Sequence, residues 1–151
     1  MKTICLPLLF LIYVILPTVA FAKDKNFAGT WFIDLRSKVE RKQHTNCGMA
    51  TFTLIQAGEK ITGSHEFSTA GCGRLNEGGD NTVKGIAVGS IAILTVISGR
   101  NGAIVIGKAI RKHNLLYWQI LEEIKSGEPE GDSPLILSKG ILKLKKAKTL
   151  K

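Results

Sequence analysis

Four side chains of zinc-ligand type, His44, Cys47, His65 and Cys72, fall within one stretch of the 151-residue chain. Only His44 and Cys47 have the tight spacing of a metal site. The competing chemistry is oxidation: Cys47 and Cys72 form an even pair once Cys5, near the amino terminus, is set apart. In an exported chain such a pair reads as a disulfide closing a loop of about 25 residues, which the chain-entropy model values at roughly 3 to 3.5 kcal/mol. The disulfide is the preferred reading, and no metal or cofactor is expected. Segment 102–108 has phosphate-loop spacing, but Ala109 stands where Ser or Thr is required and the stretch reads as strand interior. Glu122, Glu123, Glu128, Glu130 and Asp132 cluster without a partner site and read as a solvated rim. No serine elbow, two-histidine zinc helix or calcium loop is present, so no catalytic residues are proposed and the chain is not read as an enzyme.

The compartment follows from residues 1–22. Lys2 supplies a positive start, residues 4–16 are uncharged and apolar, and Ala20-Phe21-Ala22 sets small residues at a cleavage site. The apolar stretch is too short to span a bilayer as a helix. A cleaved signal peptide is expected, leaving residues 23–151 as one periplasmic or secreted domain. Setting Lys2 aside lowers the formal charge of +9 by one, and the remainder is still strongly basic. Lys139, Lys143, Lys145, Lys146, Lys148 and Lys151 crowd the carboxy-terminal end with no acid among them. Solvated edge lysines that discourage aggregation explain this run, and an anionic envelope surface is the functional alternative. Nucleic acid is not expected, because aromatic residues do not interleave with the charges.

These residues are positioned by a chain that reads as strands nearly throughout. Apolar runs at 29–36, 49–56, 60–67, 82–89, 90–98, 102–112, 115–124 and 135–146 are separated by turn residues. The connections at 57–59, 98–102 and 112–114 are hairpin-sized and rich in Gly or Asn. Longer loops at 68–81 and 125–134 suit the open mouth of a barrel. Eight strands joined mainly by hairpins predict an all-β, eight-stranded antiparallel up-and-down β-barrel, with a two-sheet β-sandwich as the alternative. No long run has helical period.

Alternation places Trp31, Ile33 and Leu35 on one inner face, with Ile61, Gly63, His65 and Phe67 on another. Leu116, Trp118 and Ile120, then Gly140, Leu142 and Leu144, complete the inner set. Between Gly85 and Gly99 both faces are apolar, so one must be covered from outside. Ile86, Val88, Ile91 and Ile93, with Ile104, Ile106 and Ile110 beside them, are the interface candidates, for a homodimer or another protein.

Gly29-Thr30-Trp31, the strand Phe52-Thr53-Leu54-Ile55, a turn at Gly58 and then Ile61-Thr62-Gly63-Ser64 resemble the opening third of avidin-type barrels. Gly-x-Trp is also the lipocalin entry signal. The resemblance is close from Gly29 to Ser64 and continues beyond only as strand rhythm. It implies a calyx with an open end for a small ligand. It does not carry avidin's ligand chemistry, because Ile33 replaces the family's Asn while His65 and Phe67 replace its Tyr and Ser.

Two functions are therefore expected in order. The first is a non-enzymatic carrier holding a small apolar ligand at Trp31, Ile33, His65, Phe67 and Trp118. The alternative is a periplasmic inhibitor or immunity-type protein that acts through loops and an apolar outer face. An open interior favours the carrier, and a packed one the inhibitor.

Overall fold

The computed structural model describes residues 26–128 and 134–145. The expected signal peptide, Glu130, Asp132 and the lysines at 146, 148 and 151 lie outside the described residues. The described residues form the strands β1 (Gly29–Asp34), β2 (Met49–Ala57), β3 (Lys60–Ser68), β4 (Leu75–Asn76), β5 (Val83–Val88), β6 (Ile91–Ile97), β7 (Ile104–Lys112), β8 (Leu115–Lys125) and β9 (Lys139–Leu144). A short helix, α1 (Lys38–Lys42), lies between β1 and β2.

Eight of the strands close a barrel in the order β1-β2-β3-β5-β6-β7-β8-β9, every pairing antiparallel, and β9 returns to β1 through Trp31 opposite Leu144. The very short β4 adds to the end of β3, with Phe67 opposite Asn76. Closure removes the free edges that so strand-rich a chain would otherwise present. The β-sandwich alternative is thereby excluded.

Local chemistry explains the connections. The β2–β3 turn places Gly58 at φ +61°, and His113 takes φ +55° in the β7–β8 turn. Helix α1 starts at a reciprocal cap in which Ser37 Oγ accepts from the Glu40 N–H and the Glu40 carboxylate accepts from the Ser37 N–H. This single turn of helix falls inside the first long connection. It is too short to produce a helical period in the sequence.

The barrel has a turn end and a loop end. Hairpins at 57–60, 88–91 and 112–115 lie at the turn end. The β1–β2, β3–β5, β6–β7 and β8–β9 connections lie at the loop end. Inner residues alternate as expected: Trp31, Phe52, Leu54, Ile61, Leu94, Leu116 and Leu142 are buried in one core. Each large aromatic ring there removes roughly 150–250 Å² from water, contributing about 4–6 kcal/mol.

Most strand ends shift by a residue or two from the sequence reading, and two of the differences change which side chains are buried. Leu35 is exposed because β1 ends at Asp34. The last expected run, 135–146, pairs only from Lys139 onward, and Leu135, Ile136 and Leu137 form a buried strap instead. An apolar run with strand-like content had two solutions here, sheet pairing or burial across the barrel mouth, and its first residues take the second.

Candidate binding surfaces

The interior is filled with side chains. Phe52 lies 4.6 Å from the His65 ring and 5.0 Å from the Trp118 ring, between centroids. Trp31, Phe52 and His65 have no solvent exposure at all, so no water-sized space touches them. Glycines within the strands leave no room, because neighbouring groups occupy the space beside them. At Gly107 a Cβ would lie 2.2 Å from the Trp118 ring, and at Gly85 one would lie 2.1 Å from the Ile93 carbonyl oxygen. Gly107 thus makes space for an indole, and Gly85 lets two strands approach closely.

Chain segments close both ends. At the turn end Phe27 is fully buried, its carbonyl accepts from Trp31 Nε1 at 2.8 Å, and its N–H donates to Gln56 Oε1. The Arg111 guanidinium stands 5.5 Å from the centroid of the Trp31 ring, within reach of a cation–π attraction. At the loop end the strap 134–138 crosses the mouth. The Leu137 carbonyl accepts from Trp118 Nε1 at 2.6 Å, and the Leu137 N–H donates to His65 Nε2 at 3.4 Å.

His65 is therefore a core acceptor. Burial pushes its pKa down to about 4, since charging the ring would cost its hydration, against a lesser raising contribution from the residue's own backbone. With Nε2 accepting, the neutral ring carries its proton on Nδ1, which has no partner among the described residues. Ile33 and Phe67 pack half-buried against the same core. All five candidate ligand residues thus face the barrel interior. Trp31, His65 and Trp118 are buried there against other side chains.

One residue that organises the loop end gave no signal in the sequence. Asn76, buried on β4, donates through Nδ2 to the carbonyls of Pro134 and Leu135. Its Oδ1 accepts from the N–H groups of Gly78 and Gly99. The full bonding capacity of the amide is used, so one side chain ties the strap to two loops. A lone Asn in a glycine-rich loop reads as a turn residue until its partners are known.

The disulfide joins Cys47 and Cys72, with Cα atoms 5.2 Å apart, beside a β-bridge between Cys47 and Ala70. It staples the β1–β2 connection to the β3–β5 connection. Arg36 braces the same corner: its Nε and Nη2 bond the Asp34 carboxylate at 2.9 and 2.8 Å, and its Nη1 donates to the Thr45 carbonyl. The hydrogen bonds from the Arg36 side chain, and then its backbone, hold Asp34 at a pKa of about 2. His44 and His65 take no part with these cysteines in a metal cluster: among the described residues no group of three or more His, Cys, Asp or Glu could hold an ion.

Outside, the barrel is more apolar than a solvated surface requires. Ile86 and Val88 are 58 and 72% exposed, and Ile91 and Ile93 face solvent beside them. Ile86 is opposite Ile93, and Val88 is opposite Ile91. Ile104, Ile106 and Ile110 are half-buried on the outer side of β7. The interface candidates therefore share one outer surface, on β5, β6 and β7. Its β-branched side chains stand in cross-strand pairs at about 5 Å separation.

Comparison with known proteins adds no assignment, because no family model, curated protein or solved structure matches the chain.

Proposed function

We propose that this chain is an exported, non-enzymatic binding protein of the inhibitor or immunity type, which engages another protein through its outer face and loop end. The observation that carries this reading is the filled barrel. Trp31, His65 and Trp118 bond or pack to the chain itself, and both mouths are closed by Phe27 and the strap at Leu135–Leu137. A carrier would need that space for its ligand.

The outer face supplies what the interior lacks. Exposed Ile86, Val88, Ile91 and Ile93 form a contiguous apolar patch of the kind that marks protein contacts. The disulfide gives the loops beside the mouth a fixed shape, which lowers the ordering cost of binding. The closed antiparallel barrel is compatible with a calycin-like fold, and the lipocalin and avidin resemblance in its opening strands belongs to this reading as scaffold. The disulfide is compatible with export.

Native mass spectrometry of the protein isolated from its own compartment tests the proposal. A complex with a second protein that disappears in Val88→Glu is the expected result. A small-molecule adduct on the isolated chain would return the carrier reading, and a homodimer lost in Val88→Glu would make the patch a self-association surface.

A further inference from the structure

The outer surface of β7, β8 and β9 carries a second, differently built patch. Cross-strand register aligns its residues in three rows. Ile110 is opposite Tyr117, which is opposite Ile141, giving an apolar central row with an aromatic ring in the middle. On one side Lys108 is opposite Gln119 and Gln119 opposite Lys139. On the other, Lys112 is opposite Leu115 and Leu115 opposite Lys143.

Four lysines therefore stand at the corners of a rectangle. Two strand spacings set its width at about 10 Å, and four residues along a strand set its length at about 13 Å. No carboxylate lies inside it. Among the described residues the recorded ion pair is Asp34 with Arg36, so none of the four corners is neutralised there. A shallow groove of about 500 Å³ runs between the central row and the Lys108–Lys139 side. Lys112 Nζ lies 5.3 Å from the Tyr117 ring centroid, which sets a cation against the aromatic at the middle of the facet.

We propose that this facet docks on an anionic lipid surface. The central Ile110, Tyr117 and Ile141 would settle at the headgroup level while the four lysines reach the phosphates. Tyrosine favours that boundary because its ring is apolar and its hydroxyl is wet. Lysine suits a diffuse anionic layer, being a point charge on a flexible stem that can keep its head at the interface. A second copy of the chain would set lysines against lysines, so self-association through this facet is disfavoured. Lys145 follows β9 directly, and no acid occurs among residues 139–151 of the sequence. The facet meets the outer surface of β5, β6 and β7 at Ile110, and its four lysines lie outside the interface candidates named there.

Co-sedimentation of the purified protein with vesicles tests it. Binding is expected to vesicles of phosphatidylglycerol and phosphatidylcholine in equal parts, and not to phosphatidylcholine alone, and should fade as salt is raised. Each lysine near an anionic surface is worth roughly fivefold in partitioning, so Lys108→Gln with Lys139→Gln should weaken binding about 25-fold. Lys60→Gln with Lys84→Gln removes the same charge from β3 and β5, with β3 diametrically opposite β8 in the barrel, and should change binding less than about twofold. Tyr117→Ser should weaken vesicle binding while leaving retention on soluble polyglutamate unchanged. Equal losses in the two double variants would show a response to net charge alone and overturn the proposal. So would absence of vesicle binding, or an equal Tyr117→Ser loss on polyglutamate, which would point to an acidic polypeptide.

Discussion

The His65 imidazole accepts, through Nε2, a hydrogen bond from the backbone N–H of Leu137, a residue 72 positions later in the chain. The same Leu137 residue reaches Trp118 through its carbonyl oxygen. A buried histidine thus serves as a latch for the strap that closes the loop end, and it can do so only while Nε2 is unprotonated.

That requirement sets a pH dependence. The folded-state pKa is lowered to about 4 from an ordinary 6.5, so between these values the unfolded chain binds the extra proton. The contribution of His65 to stability is full above pH 6.5 and is lost as pH falls toward 4, on the order of 3 kcal/mol in all. Urea unfolding at a series of pH values should show this decline. His65→Gln, which keeps an acceptor without titrating there, should flatten it. A wild-type profile that stays level across that range would remove the latch from the titrating groups.

Trp118→Phe removes the indole N–H and leaves the Leu137 carbonyl buried without its donor. The expected cost is about 1–3 kcal/mol. Hydrogen exchange at residues 135–137 should accelerate more than at the β5–β6 hairpin, because the strap loses one of its anchors there. Uniform acceleration across the barrel would mean the strap has no separate opening.

Gly107→Ala sets a methyl group against the Trp118 ring at a distance no packed pair tolerates. The indole must shift, and overpacking of this kind costs about 1–3 kcal/mol. A change in tryptophan fluorescence should accompany the lowered melting temperature. An unaltered melting curve would show that the ring has space the packed interior denies it.

Replacing Cys47 and Cys72 together by Ser releases, in the unfolded state, a loop closed at a sequence separation of 25. The expected cost in unfolding experiments is roughly 3 kcal/mol. The barrel strands themselves should persist, since the bridge joins two connections at the loop end and pairs no strand. Circular dichroism can separate those two effects. Intact mass before and after reduction checks the bridge directly.

Much of the barrel was legible in the chain because strand alternation is local. Trp31, Ile61, His65, Leu116, Trp118 and Leu142 could each be placed inward from neighbours two residues away, and the hairpin turns announce themselves through Gly58, His113 and Asn114. Segment 135–146 was harder. Leu135, Ile136 and Leu137 have strand-like composition, and what sends them across the mouth is the pairing of Leu137 with His65 and Trp118, which no local pattern contains. Asn76 was invisible for the same reason, its partners lying 58 and 59 residues away at Pro134 and Leu135.

The all-β class, the order of the barrel strands, the inward faces apart from Leu35 and the cysteine pair follow from the residues alone, because period-two burial and turn chemistry act over a few residues. Whether the barrel is a vessel or a solid emerges from long-range packing instead. A glycine inside a strand, such as Gly107 or Gly85, does not itself say what fills the space beside it. The outcome depended on the Trp118 indole, the close approach of β6 and the strap reaching those places first, since volume inside a closed sheet is filled by whichever distant groups pack there.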